Sequence, residues 1–211
     1  MTPTGPALSA PPVTAGRPAY DTERTRLRVH PERSTPDEVP NILRDGLIAH
    51  VAIADEAGPV VIPMTYYVAP DRPYTVYIHG AHHSRLMAHA ASGKPVCLTV
   101  TMVDGLVFSR TALYHSMNYR SAVCFGTARV VEDAAEQLQV AEGLVTRYFP
   151  GRVVGIDCEA VPTQHVTATS WVALEITDAS AKIRRGPPKG PRDNDPAAPG
   201  TAGVIEFHPP R

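Results

Sequence analysis

No stretch of this 211-residue sequence approaches the roughly 18 to 20 continuous apolar residues that a membrane-spanning helix requires. The opening "MTPTGPALSAPPVTAGRPAY" lacks both a basic start and an apolar run, so it does not read as a secretory signal, and a cytoplasmic protein is expected. Cysteine is scarce. Cys97, Cys124 and Cys158 make an odd number, and two of them sit in strand-like runs where cysteine acts as a small buried hydrophobe, which argues against a disulfide framework. A net charge of −1 supplies no general field for nucleic acid or a membrane surface, so a charged partner must be met locally. No internal repeat is evident, and the length suits one domain with tails.

Three zones emerge along the chain. Residues 1–20 are rich in Pro, Ala, Thr and Gly and read as a disordered leader; 21–185 hold the strands and helices; 186–211, beginning "GPPKGPRDNDPAAPG", read as a linker-like tail. In the middle zone Ser34 and Thr35 stand as helix caps before Pro36, with Pro40 predicting a late start or a kink and Gly46 a stop. "LIAHVAIA" and "PVVIPMTYYV" flank Gly58 as a hairpin, and Pro63, which cannot donate to a ladder, marks an edge or bulge. "RPYTVYIHG" predicts a third strand and "SRLMAHAASG" a short helix capped by Ser84 and stopped by Gly93. Asp104-Gly105 predicts a hairpin splitting "PVCLTVTMVDGLVFSRTAL" into two strands, and Gly126 a bulge in "NYRSAVCFGTARVVE". Asp133 and Glu136 form a capping-box pattern for "AAEQLQVAEGLVTRYF", and "SWVALEITDASAKIRR" supplies a last strand. Strands with few helices between them predict a mainly β, antiparallel, Greek-key-like barrel with a few peripheral helices.

Two polar clusters interrupt this pattern. In "YIHGAHHSRLM", Arg85 falls in the first turn of the helix that Ser84 caps, where the backbone already presents partial positive charge. A cation is favourable there if an anion such as a phosphate sits over the helix start. Two other readings stay open: solvated loop residues, or a metal site from His79, His82 and His83 with His50 or His115. The second cluster, "HSMNYRS", places His115, Ser116, Asn118, Tyr119, Arg120 and Ser121 just before a long buried-looking strand, either as a pocket rim or as a polar loop. Around Pro63, Met64 and Thr65 an irregular strand with aromatic neighbours suits the edge of a flat ring or an ordinary core. Residue chemistry thus reaches a phosphorylated planar ligand.

The elements "PVVIPMTYY", "HGAHHSR", "HSMNYRS", "FPGR" and "SAKIRRGPP", in this order over about residues 26 to 188, closely resemble the flavin-nucleotide-binding proteins related to pyridoxamine 5'-phosphate oxidase, including the nitroimidazole-resistance nitroreductases. The resemblance implies a split β-barrel that binds FMN at a homodimer interface, without a metal. Ser84 and Arg85 correspond to phosphate ligands. Asn118, Tyr119, Arg120 and Ser121 correspond to a second flavin-contacting segment, and Pro63, Met64 and Thr65 to the strand facing the flavin ring. His79 matches the proposed catalytic histidine of the nitroimidazole-resistance relatives, and Lys182 and Arg184 lie where the family's tail reaches the site. The residues that recognise pyridoxal phosphate are absent, so vitamin-B6 oxidation is not implied. The expectation is an FMN-dependent oxidoreductase passing hydride or electrons to a small electrophile such as a nitroaromatic, with His79 supplying a proton. The alternatives are a flavin-binding store or sensor without turnover, and the deazaflavin F420 in place of FMN.

Overall fold

A run of alternating apolar residues closed by a glycine turn is enough to start the sheet. In the computed structural model, which describes residues 16–207, β1 (Ala49–Asp55) and β2 (Gly58–Met64) form the expected hairpin, with Gly58 at φ 92° supplying a turn conformation that side-chain-bearing residues resist. Pro63 lies on β2, an edge strand, opposite His50 of β1. β3 (Thr75–Gly80) leads into α2 (Arg85–Ala91), where the Ser84 Oγ accepts from the Met87 amide at 3.1 Å and Gly93 follows the helix at φ 70°. Pro40 enforces a late start for α1 (Val39–Asp45), which follows a single 3₁₀ turn at Pro36–Glu38. The expected caps Ser34 and Thr35 make no side-chain cap there; instead the Thr35 amide donates to the Ala181 carbonyl.

The remaining elements are β4 (Pro95–Phe108), β5 (Ser116–Val130), α3 (Ala134–Tyr148), α4 (Thr163–Thr167), β6 (Ser170–Arg184) and β7 (Gly203–Glu206). The strands pair antiparallel in the order β2-β1-β4-β5-β6-β3, and β7 adds to the far half of β4. Just past β2, Tyr67 exchanges both backbone hydrogen bonds with Tyr77 of β3 (2.9 and 2.8 Å), which joins the two ends of the path. The result is a split β-barrel. Its interior is packed by Val51, Leu98, Val100, Ala122, Val172 and Leu174. A second core lies outside the wall, where Val140 of α3 and Val166 of α4 cover Tyr77, Trp171 and Ala173.

Asp133 caps α3 by accepting from the Ala135 and Glu136 amides, but Glu136 does not reach back to complete a capping box; its carboxylate pins the helix to the wall through Tyr77, Arg72 and Arg129. Gly126 marks a bulge as predicted, with a Cβ there falling 1.9 Å from the Glu175 carbonyl oxygen.

Two expectations are corrected. Asp104-Gly105 is not a hairpin: β4 runs straight through it, with a bulge between Val103 and Gly105. Gly105 is needed because a Cβ would sit 2.6 Å from the Ile205 carbonyl oxygen of β7. The stretch read as linker-like folds back on the barrel. Asp193 accepts from Ser109 Oγ (2.7 Å) and the Arg110 amide (2.8 Å), while the Arg110 guanidinium donates to the carbonyls of Ala198 and Gly200. Of the expected leader, residues 1–15 lie outside the described residues, and Ala19 bridges to Asp178 on β6.

Candidate functional site

Alternation along β3 turns Ile78 into the barrel and Tyr77 and His79 outward, and the Tyr67–Tyr77 pairing sets Thr65 across from His79. The two residues line one open, apolar groove of about 330 Å³ whose other wall is the C-terminal half of α3, Leu144, Val145, Tyr148 and Phe149. The His79 ring stacks on Trp171 with centroids 4.9 Å apart, and its buried Nδ1 has no hydrogen-bond partner. Burial lowers the His79 pKa, so the imidazole is neutral at pH 7. A neutral, immobilised imidazole beside an apolar groove can exchange a proton with a bound ligand or coordinate a metal centre.

The groove is anchored from behind. Tyr148 Oη donates to the Leu47 carbonyl at 2.7 Å, and Arg147 donates to the carbonyls of Leu43 and Arg44, both at 2.9 Å, while lying 4.3 Å from the Tyr66 ring centroid. The end of α3 is thereby fixed to the end of α1.

Ser84 and Arg85 stand elsewhere. Ser84 is used as the α2 cap, and Arg85 closes on the β1–β2 hairpin: its Nε donates to Asp55 at 2.6 Å and its Nη2 to the Gly58 carbonyl at 2.7 Å. That fork holds the Asp55 carboxyl down at about 2. The arginine expected to await a phosphate already has a carboxylate partner in this chain.

The second cluster divides between faces of β5. Arg120 aligns with Met102 and Ile183 on the side of the barrel interior, where it is bidentate to Asp104 (Nη2 at 2.8 Å) and reaches Asp45 at 3.1 Å. Tyr119 and Ser121 point the other way, in register with Arg184 and Lys182, and Ser121 Oγ donates to the Lys182 carbonyl at 3.3 Å. Asn118 accepts from Arg184, while His115 and Ser116 are exposed, with His115 Nδ1 donating to the Ala112 carbonyl at 3.0 Å. Met64 is half-buried against the core, and Pro63 is exposed.

The single chain brings Thr65 and His79 together and keeps the 118–121 segment apart from them. His79 aligns with Trp171 and Ser121 with Lys182, eleven residues further along β6, a path of at most roughly 35 Å along the strand at the usual rise per residue. His82 and His83 are exposed in the turn before α2, and among the described residues no three His, Cys, Asp or Glu side chains group as metal ligands. No helix of the described residues is long and apolar enough to cross a membrane. The α3 wall was not foreseen from the sequence. The available signal was Tyr148-Phe149, an aromatic pair at a helix end, one of which stays exposed.

The family model for pyridoxamine 5'-phosphate oxidase matches residues 35–183. Among solved structures, the FAD and heme binding protein from Mycobacterium smegmatis is 30% identical over 82% of each chain, with a TM-score of 0.70. Flavocytochrome Anf3 from Azotobacter vinelandii is 29% identical over 92% of this chain and 90% of its own, at 0.73. A protein assigned to 5-nitroimidazole antibiotic resistance from Bacteroides thetaiotaomicron shares the fold, at 20% identity and 0.57 over 70% of this chain and 82% of its own. A comparison with curated proteins gave no match.

Proposed function

The chain belongs to the pyridoxamine 5'-phosphate oxidase family, and on that premise we propose that it is a flavin-binding oxidoreductase, working as a homodimer on a small electrophile such as a nitroaromatic compound. The observation that carries this is the apolar groove where Thr65 faces a neutral, unpartnered His79 under the end of α3. Its apolar wall suits the face of a flat heteroaromatic ring, and with Nδ1 buried, Nε2 of His79 is the ring nitrogen that such a ring or its substrate can reach. A bound flavin supplies hydride or single electrons. Leu144, Val145 and Phe149 exclude water from one side, the Trp171 stack fixes the imidazole plane, and Nε2 holds the proton that the reduced substrate takes up. The resemblance in sequence favours FMN; the Mycobacterium smegmatis relative, an FAD and heme binding protein, favours FAD.

The homodimer is supported by the distance between the two clusters, since one flavin meets both only if they come from different chains. It is supported also by the outer sheet face. There Ile205, Leu106 and Met117 align across β7, β4 and β5, 55%, 38% and 50% exposed, with Val103 and Tyr119 two pairs further along, past the bulge. An aligned apolar row of this kind marks an interaction surface.

A second reading rests on the same imidazole. A neutral histidine whose Nε2 is not buried and stands against an apolar wall has the chemistry of an axial heme ligand, and two relatives near 30% identity are an FAD and heme binding protein and a flavocytochrome. The test for both is a His79→Ala protein. Loss of nitroaromatic reduction with flavin retained supports the proton role, loss of a Soret band supports the heme role, and wild-type rates with an unchanged spectrum contradict both.

A further inference from the structure

The chain's single tryptophan, Trp171, stands directly behind His79, stacked on the imidazole with centroids 4.9 Å apart. Tyr77 lies diagonally beside it. In the register of β3 and β6, His79 pairs with Trp171 and Tyr77 with Ala173, so the indole and the phenol share the outer face of the wall, 6% and 3% exposed, in the core that α3 covers. Tyr67 continues the line, its ring centroid 6.2 Å from that of Tyr77. Three oxidisable rings thus lead away from the groove behind His79.

Their hydrogen bonds differ in kind. The Trp171 indole N–H donates to the Val166 carbonyl at 2.9 Å, a neutral acceptor that cannot keep a proton. The Tyr77 hydroxyl donates to the Glu136 carboxylate at 2.8 Å and accepts from Arg72 at 3.0 Å. Burial, then the bond to Glu136, pushes the Tyr77 phenol up to about 12, so it keeps its proton at rest. Burial opposes the Glu136 charge, but hydrogen bonds from Arg129 and Tyr77 hold the carboxyl below its ordinary value, so it is ionised. One-electron oxidation turns a phenol into a far stronger acid, and a carboxylate already in line takes its proton without any group moving. An oxidised Trp171 has no such base, so the hole settles on Tyr77.

We infer that Trp171 and Tyr77 form a one-electron relay that drains oxidising equivalents from the groove. Trp171 gives one electron to an aromatic one-electron oxidant lying against His79, and takes one from Tyr77. The Tyr77 O–H bond breaks, its proton forms an O–H bond on Glu136, and a neutral tyrosyl radical remains; in net, the oxidant has gained the one electron that Tyr77 has lost. On the reading above that oxidant is the light-excited state of an oxidised flavin. Only its identity rests on the flavin reading.

The test begins with full-length, flavin-free protein. Laser photoionisation of Trp171, at a wavelength that tyrosine does not absorb, creates the hole in place, with nitrous oxide and tert-butanol removing the ejected electron and the hydroxyl radical that follows. Transient absorption should show the indole radical decaying into a phenoxyl radical. Tyr77→Phe should lose the phenoxyl signal and lengthen the indole lifetime severalfold, and Glu136→Gln, which keeps an acceptor but not a base, should slow the transfer. An indole radical that lives as long in wild type as in Tyr77→Phe, or a rate unchanged in Glu136→Gln, overturns the inference; should Tyr77→Phe not fold, the wild-type phenoxyl signal and Glu136→Gln decide it. Blue light on flavin-loaded protein should give the same tyrosyl radical by electron paramagnetic resonance, and its absence overturns the connection to the groove. A relay seen by photoionisation in a protein that takes up no flavin upholds this inference and removes the flavin reading.

Discussion

Replacing Glu136 with alanine should cost the fold about 3 kcal/mol and loosen the groove beside His79. The Glu136 side chain is 14% exposed and accepts from the Tyr77 hydroxyl at 2.8 Å, from Arg72 at 3.1 Å and from two nitrogens of Arg129. Hydrogen bonds to charged groups contribute about 1.5 to 3 kcal/mol each, which would give a far larger total if all were lost outright. They are not: Arg72 and Arg129 are 24% and 36% exposed, so water replaces part of each bond, and Arg129 keeps Glu175 at 3.7 Å. What remains is chiefly the Tyr77 hydroxyl left without its acceptor and the charge pairing lost. Glu136→Gln retains an acceptor and should cost about 1 kcal/mol.

The effect should depend on pH. Burial pushes the Glu136 carboxyl up, but hydrogen bonds from Arg129 and Tyr77 outweigh it and bring the pKa below 4.5. A carboxyl depressed in the folded state stabilises it above its ordinary value and loses that contribution as pH falls through the folded value. The gap between wild type and Glu136→Gln should therefore be full at pH 6 and shrink below pH 4.5. Urea unfolding followed by Trp171, the single tryptophan, reads this directly because Trp171 packs in the outer core that α3 covers. Glu136→Ala within 0.5 kcal/mol of wild type at pH 7 would refute the reasoning.

Gly126→Ala should destabilise by about 3 kcal/mol or prevent folding, since the added Cβ meets backbone rather than a movable side chain; a denaturation midpoint equal to wild type contradicts this. NMR of the His79 imidazole should show a midpoint below 6.5, and stability should fall as pH drops through it, because the unfolded chain takes up the proton more readily; a midpoint at or above 6.5 removes the neutral-imidazole premise. If the proposed homodimer forms through the Ile205–Leu106–Met117 row, Leu106→Glu should be monomeric in sedimentation where wild type is dimeric, with the barrel still folded; a variant that stays dimeric would place the interface elsewhere, and a monomeric wild type would remove the homodimer proposal.

Much of the architecture could be read locally because its determinants are local. Gly58, Ser84 and Gly93 act within a few residues of themselves, and each does as its position predicted; Gly126 also forms its predicted bulge, though the backbone it meets is Glu175 of β6. Asp104-Gly105 carries the same kind of signal and misleads, because the glycine answers to the Ile205 backbone about a hundred residues away. The tail was opaque for a related reason: Pro and Gly content says that it cannot make its own core, not that Asp193 and Arg110 will fasten it to another. At the site, His79 and Thr65 were visible as residues, but the wall opposite them comes from a helix whose apolar face looked like ordinary core. Arg85 was placed correctly on its helix, and its bond to Asp55 depends on a hairpin thirty residues earlier.

The central claim is that the chain holds a flavin, and the most direct measurement is the absorbance spectrum of the purified protein with mass spectrometry of what heat releases. The account predicts the two visible bands of an oxidised flavin and the mass of FMN or FAD near one per chain. A colourless protein that takes up neither nucleotide would contradict it.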